Sequence, residues 1–339
     1  MTGISKSQVS KLCKGEEDKK SIRGIDFPTN DERVTSFLER PLEGEWPYLW
    51  LDATYLKVRQ GGRTVSVAAI IAVAANTDGR REIIGLSIGD SEAMVFWMEF
   101  LRSLVKRGLK GVKLVVSDAH EGLKAAATKV LQGTTWQRCR VHTTRNLLAR
   151  VPKPQQSRLA TLLREAFTAP TADKAHATSR AIADQARSVH PKRAEAMDGE
   201  ADRGRGARKP PNENDVLAYM DFPAAHRVKR HSTNGLERLN KEVKRRADVV
   251  GVRRCARTDG ACASRPNEAA IMRLVGAVLM EANDAWQLQH RYLSIEAFAG
   301  VSAIEEEADR FALASHVHEQ DFPLSRSMAY ATAYALTGE

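Results

Sequence analysis

Three acidic residues occupy settings in which an acid is costly. Asp52 interrupts the apolar run LWLDATYLKVR, Asp118 closes VKLVVSDAH, and Glu237 heads the basic stretch STNGLERLNKEVKRR. A carboxylate in or at the end of a buried strand needs a compensating charge or a full set of hydrogen bonds. A divalent cation supplies that charge, and a basic helix alongside suits a polyanion. The three acids together point to metal-dependent chemistry on nucleic acid.

Each acid also has a plain structural reading. Asp52 could be a buried aspartate held by hydrogen bonds. Asp118 could cap the helix expected near Gly122. Asn234 and Glu237 have the spacing of a capping box, in which the glutamate serves only the helix start. The surroundings of Glu237 favour chemistry. Helical periodicity puts Lys241, Lys244 and Arg245 on its face and Leu236, Leu239 and Val243 on a neighbouring apolar stripe. Arg227, Lys229, Arg230, Arg238, Lys241, Lys244, Arg245 and Arg246 crowd around it, offset only by Glu237 and Glu242. We expect Arg230, Arg238, Lys241, Lys244, Arg245 and Arg246 to meet DNA phosphates, with strongly salt-dependent binding.

Cys139 and His142 form a Cys-x-x-His pair resembling half a zinc site, but no second pair has matching spacing. The expectation is therefore a local brace at a strand end. His120 and His142 are further candidates for groups near a bound phosphate.

The elements that must position these residues follow from the patterning. Strands are expected over 49–58, 63–75 and 82–88, with Asp78-Gly79 as the hairpin turn between the last two. A helix over 92–107, a strand over 112–117, a helix over 122–131 and a strand over 135–141 follow. That order predicts an α/β fold, a mixed five-stranded sheet flanked by helices. Residues 142–200 read as helical, 199–214 as an exposed loop, 235–247 as the helix carrying Glu237, and a long helix opens at Pro266. Residues 14–32 read as a charged linker.

The remaining composition narrows the class. With 339 residues and 42% hydrophobic content the chain can bury a sizeable core, and its net charge of +10 suits an anionic partner. The four cysteines are widely spaced, as in a reduced, cytosolic chain rather than a disulfide framework. The longest apolar run, VSVAAIIAVAA, is too short to cross a bilayer, and no export signal opens the chain.

With these residues in place, the chain resembles the mutator-type transposases of bacterial insertion sequences, within the DDE superfamily. The likeness runs from about Trp46 to Tyr292. WPYLWLDATYLKVR, NTDGRREIIGLSIGDSE, VVSDAHEGLKAA, WQRCRVH, HSTNGLERLNKEVKRR with DVVGV, and PNEAAIMRLVGAVLMEANDAW carry it. The resemblance implies an RNase H-like fold with Asp52, Asp118 and Glu237 as the catalytic triad and Cys139 and His142 as a signature. It also implies an all-helical insertion before the glutamate. The expected domains are a remnant of a DNA-binding region and linker at 1–45, catalytic parts at 46–145 and 226–295, the insertion at 146–225, and a tail at 296–339.

The activity so implied is cleavage at element ends and strand transfer. The three acids would hold Mg²⁺, with Asp52 bridging two ions and Mn²⁺ able to substitute. The partners implied are terminal-repeat and target DNA, and further copies of the chain assembled on that DNA; no membrane partner is expected. A nuclease without strand transfer, or a DNA-binding remnant without activity, are the alternatives. Family members look longer at the amino end, so a truncated copy with little preference for element ends is expected. Segments 14–29, 199–214 and 253–265 look like extra sequence. Gly235 stands where the family usually has proline, which leaves the helix start less preorganised.

Overall fold

A long β-hairpin is the spine of the fold. In a computed structural model, residues 21–22, 25–26, 29–60, 63–149, 151–189, 213–251, 268–289 and 291–298 are described. The first strand, β1 (Tyr48–Gln60), pairs antiparallel with β2 (Arg63–Ala75) in unbroken register from Tyr48↔Ala75 to Gln60↔Arg63. β2 then turns through Asp78-Gly79 into β3 (Arg81–Gly89). β4 (Leu114–Ser117) lies parallel to β1, and β5 (Thr135–Arg138) parallel to β4. The sheet order is therefore β3-β2-β1-β4-β5, mixed, with β2 the one antiparallel member.

Burial follows the pattern of each strand. Residues 67–75 of β2 are buried without interruption, as a central strand covered on both faces must be. In β1, residues 48–51 are buried on both faces, and beyond Ala53 the strand alternates between inside and outside. Leu49 and Leu51 face a cluster with Trp97, Phe100, Leu101 and Leu104 of α2 (Met94–Lys106) and with Leu123 and Ala126 of α3 (Glu121–Val130). Tyr48, Trp50 and Asp52 consequently face the opposite side. That side is covered by α9 (Asn234–Gly251) and α10 (Glu268–Gln287), the latter also packed on α1 (Asn30–Glu39).

Between β5 and α9 the described residues are helical: α4 (Arg140–Leu148), α5 (Lys153–Thr168), α6 (Ala172–Val189), α7 (Glu213–Leu217), a 3-10 turn (Ala218–Asp221) and α8 (Ala224–Arg230). Gln137 of β5 ties them to the sheet. Its Nε2 donates to Val216 O at 2.7 Å, and its Oε1 accepts from Tyr219 N at 2.8 Å. Residues 296–339 form a second unit, of which only the turn Glu296–Phe298 is described.

Three local readings are revised by the structure. α1 lies partly in a stretch read as linker, and the reason is a capping box: Glu32 N donates to Thr29 Oγ1 and Thr29 N to Glu32 Oε2. β5 ends at Arg138 rather than 141, because Cys139 caps α4 and Val141 already lies in that helix. The helix after Asp118 is capped by His120, whose Nδ1 accepts from Leu123 N at 3.2 Å, so the capping reading of Asp118 does not hold. Readings placed on residues 1–20, on the cysteines other than Cys139, on Pro266 and on residues 199–212 and 253–265 lie outside the described residues.

Candidate active site

Parallel pairing of β1 with β4 sets Trp50 opposite Val116. Continued by two residues, that register sets Asp118, the first residue past β4, alongside Asp52. Sequence distance thus closes through strand pairing alone. β5 adds the next neighbour: Arg138 pairs with Ser117, and Cys139 N donates to Ser117 O at 2.7 Å. The chain then enters α4, whose first turn carries His142.

Asp52 is closely held. Its Oδ1 accepts from Ala53 N at 3.0 Å and its Oδ2 from Asn240 Nδ2 at 2.8 Å. Burial pushes this carboxyl up to about 6; the charge of His142 and the Ala53 amide oppose the shift, and Asp118 and Glu237 add to it. Asp52 therefore lies within the field of both other acids. Asp118 Oδ1 accepts from Ala119 N at 2.7 Å.

Glu237 arrives on α9, which buries Leu236, Leu239, Asn240, Val243 and Ala247 against the sheet side. Its amide donates to Thr233 O, closing the first turn. Its carboxylate is directed elsewhere. Oε1 lies 3.0 Å from His142 Nε2 and 4.0 Å from Arg145 Nη1, yet it is buried and accepts no well-aligned hydrogen bond. Asn240 Oδ1 is buried in the same condition.

His142 stands between two of the acids, with Nδ1 4.0 Å from Asp118 Oδ1. Its contact with the Cys139 sulfur, and then the charges of Asp118 and Glu237, hold it up at about 9 against the desolvation of its site. Cys139 is itself buried, and its sulfur accepts from both Thr233 N and Thr233 Oγ1 at 3.4 Å. Burial would raise the thiol, but His142 and Thr233 together hold it below its usual range. This pair therefore braces the end of β5 against the start of α9. Among the described residues no three His, Cys, Asp or Glu side chains gather closely enough to hold a metal as they stand. Glu237 is turned onto His142 instead.

The basic residues divide into two groups. Arg238, Lys241, Lys244 and Arg245 are exposed on α9, with Arg245 paired to Glu242 through two contacts of 2.8 and 2.7 Å. Arg246 is drawn into ion pairs with Glu242 at 2.6 Å and Glu281 at 2.8 Å. Arg230 is fully buried at 0% exposure: Nη1 donates to Tyr48 Oη and Nη2 to Pro223 O, both at 2.7 Å, and the guanidinium lies over the rings of Tyr48 and Phe222. The expectation of a phosphate contact from Arg230 is corrected accordingly; its charge holds α8 to β1. His120, besides capping α3, lies 3.9 Å from Glu92.

Asn240 and Thr233 were not anticipated. The signal for Asn240 was present, as a polar residue set within the apolar stripe of Leu236, Leu239 and Val243. Thr233 gave none.

Comparison with known proteins gives this arrangement a context. The family model described as "Transposase, Mutator family" matches residues 1–289. The chain is 39% identical over 313 residues to the transposase for insertion sequence element IS1081 of Mycobacterium tuberculosis, covering 91% of this chain and 66% of the relative. It is 38% identical over 265 residues to that for IS406 of Burkholderia multivorans, covering 78% and 62%. It is 33% identical over 292 residues to that for IS256 in transposon Tn4001 of Staphylococcus aureus, covering 84% and 68%. The chain spans about two thirds of the length of these curated relatives. By the extent of these matches, the chain belongs to the Mutator family of transposases.

Proposed function

We propose that this chain carries the catalytic core of a transposase that cuts DNA at insertion-sequence ends and joins the freed 3′-hydroxyls to new DNA. The observation that carries the reading is the β1–β4 register, which sets Asp52 beside Asp118, with α9 bringing Glu237 and Asn240 to the same place. The sheet order β3-β2-β1-β4-β5, with β2 alone antiparallel, supports an RNase H-like fold. Partner molecules would be DNA and further copies of this chain assembled on it.

The donors suit Mg²⁺, with Mn²⁺ as a substitute: hard carboxylate oxygens from Asp52, Asp118 and Glu237, including the orphaned, buried Oε1 of Glu237. The elevated Asp52 carboxyl is a second sign, since a cation there would offset the cost of its burial. Bound at these acids, Mg²⁺ would acidify water or the 3′-hydroxyl and stabilise charge at the displaced oxygen.

The residues of the chain supply the rest. Asn240 orients Asp52 through the 2.8 Å hydrogen bond to Oδ2. His142 retains Glu237 by charge, 3.0 Å from its Oε1, so joining the other acids at a metal would require Glu237 to leave that contact. Cys139 and Thr233 keep α9 at a fixed distance from β5. Arg238, Lys241 and Lys244 lie exposed on α9 and would hold backbone phosphates without reading sequence.

A strand-transfer assay tests the reading. Pre-cut, labelled terminal-repeat DNA incubated with the chain, Mg²⁺ and a target plasmid should yield plasmid-joined label. Cleavage without joining would reduce the reading to a nuclease. Binding with neither would leave a DNA-binding remnant.

A further inference from the structure

A cationic cleft lies beyond the three acids, between the β2–β3 turn and residues 286–292. Arg80, Arg81, Trp286, Arg291 and Tyr292 line it together with two glutamines, and none of these side chains is acidic. Hydrogen bonds tie its walls together. The turn is closed by Asn76 N to Arg80 O at 3.0 Å and by Arg80 N to Asn76 Oδ1 at 2.9 Å. Gly79 O then accepts from the amides of Tyr292 and Leu293 at 2.8 and 3.0 Å. Gly79 adopts φ +74°, and a Cβ there would collide with Leu293 O, so only glycine allows this docking.

Arg81 is the unusual member. Its guanidinium lies over Trp286 at 3.7 Å and over Tyr292 at 4.4 Å, and its buried Nε makes no hydrogen bond. An arginine packed on two rings and hydrogen-bonded to Tyr292 has lost much of its rotamer freedom before any anion arrives, so a phosphate meets a preorganised donor. Lys229 adds a fourth cation, 4.8 Å from the Tyr292 ring. The cleft also adjoins elements that carry the acids. Arg81 Nη1 is 3.4 Å from where a Cβ of Gly235 would stand, two residues before Glu237. Tyr292 packs edge-on against Trp50, which shares a face of β1 with Asp52.

We propose that this cleft binds a backbone phosphate of the DNA strand leading to the carboxylate site, with Arg81 as the fixed donor and Arg80 and Arg291 flanking it. The proposal rests on the reading of the site as one that acts on DNA, and it adds a second contact region separate from the exposed face of α9.

The test is fluorescence anisotropy with the full chain and a labelled short oligothymidylate, alongside the same oligomer with uncharged methylphosphonate linkages. Arg80→Gln/Arg291→Gln removes two exposed charges without disturbing packing, and Arg81→Met keeps the bulk between the rings. Lys153→Gln/Arg158→Gln on α5 removes two exposed charges elsewhere. The expected result is roughly tenfold weaker binding of the phosphate oligomer by the cleft variants. The α5 variant should stay within about twofold of the parent, and no variant should affect the methylphosphonate oligomer. Parent-like binding by Arg80→Gln/Arg291→Gln, equal loss in the α5 variant, or no binding by the parent would each overturn the proposal, whether or not Arg81→Met folds. A parent that binds through the cleft but neither cuts nor joins DNA with Mg²⁺ would sink the proposed function and leave the cleft standing.

Discussion

His142 Nε2 stands 3.0 Å from Glu237 Oε1 while its Nδ1 lies 4.0 Å from Asp118 Oδ1, so one imidazole bridges two acids brought in by different elements. At neutral pH this ring, held up at about 9, is a positive charge occupying the place where a divalent cation would act. On the proposed function, a divalent cation bound at these acids would compete with the imidazolium for the same oxygens.

That competition has a measurable consequence. His142→Gln should raise the apparent Mn²⁺ affinity at pH 6 to 7 by roughly tenfold, because Glu237 is no longer retained by a charge. The gain should shrink as pH rises through about 9, where the native imidazole loses its proton. Calorimetric titration of both proteins across that range checks it. Weaker Mn²⁺ binding by the variant at pH 6 would mean that His142 supports the site instead of competing for it.

Asp52 makes the opposite kind of statement about stability. Its folded carboxyl sits near 6, above the ordinary 3.8, so folding favours its protonated form. Its charge therefore costs nothing below about pH 4, and the cost grows as pH rises through 6. Without divalent ions, Asp52→Asn should be more stable than the parent at pH 8, by at most about 3 kcal/mol. The advantage should vanish near pH 3.5 if both proteins stay folded there. Urea denaturation at the two pH values measures it, and a variant less stable at pH 8 would contradict the burial cost assigned to this acid.

On the proposed function, the exposed basic residues of α9 and the buried Arg230 should behave differently when replaced. Lys241→Gln/Lys244→Gln should weaken binding to every DNA sequence alike and flatten the salt dependence by about two units of slope. Arg230→Met should instead cost about 2–3 kcal/mol of folding stability, since it leaves Tyr48 Oη and Pro223 O without their donor. The folded fraction should bind DNA as the parent does. A marked loss of DNA affinity in folded Arg230→Met would return that residue to the interface.

What the sequence revealed, and what it hid, has a physical logic. β2 and its turn were legible because an unbroken apolar run followed by Asp-Gly has few other solutions. Asp52 and Asp118 were legible because a carboxylate in an apolar strand is an energetic anomaly wherever the strand goes. Arg230 was misleading for a related reason. In a run of cations nothing local distinguishes the one whose partner, Tyr48, lies 182 residues away. α1 was hidden because its apolar residues, Val34, Phe37 and Leu38, make a stripe of a single turn inside a stretch dominated by charge. Asn240 could have been found by treating a polar residue on a buried helical stripe as a question about what it faces.

On the proposed function, Asp52, Asp118 and Glu237 form one metal-dependent cleavage site. The most direct measurement follows cutting of a labelled terminal-repeat duplex with Mg²⁺ and with EDTA, by the parent and by Asp52→Asn, with DNA affinity recorded for both. Cutting should require Mg²⁺ and fall at least about a thousandfold in Asp52→Asn, while affinity stays within about twofold of the parent. Equal cutting by Asp52→Asn, or cutting by the parent that persists in EDTA, would mean that these acids do not form a metal-dependent site.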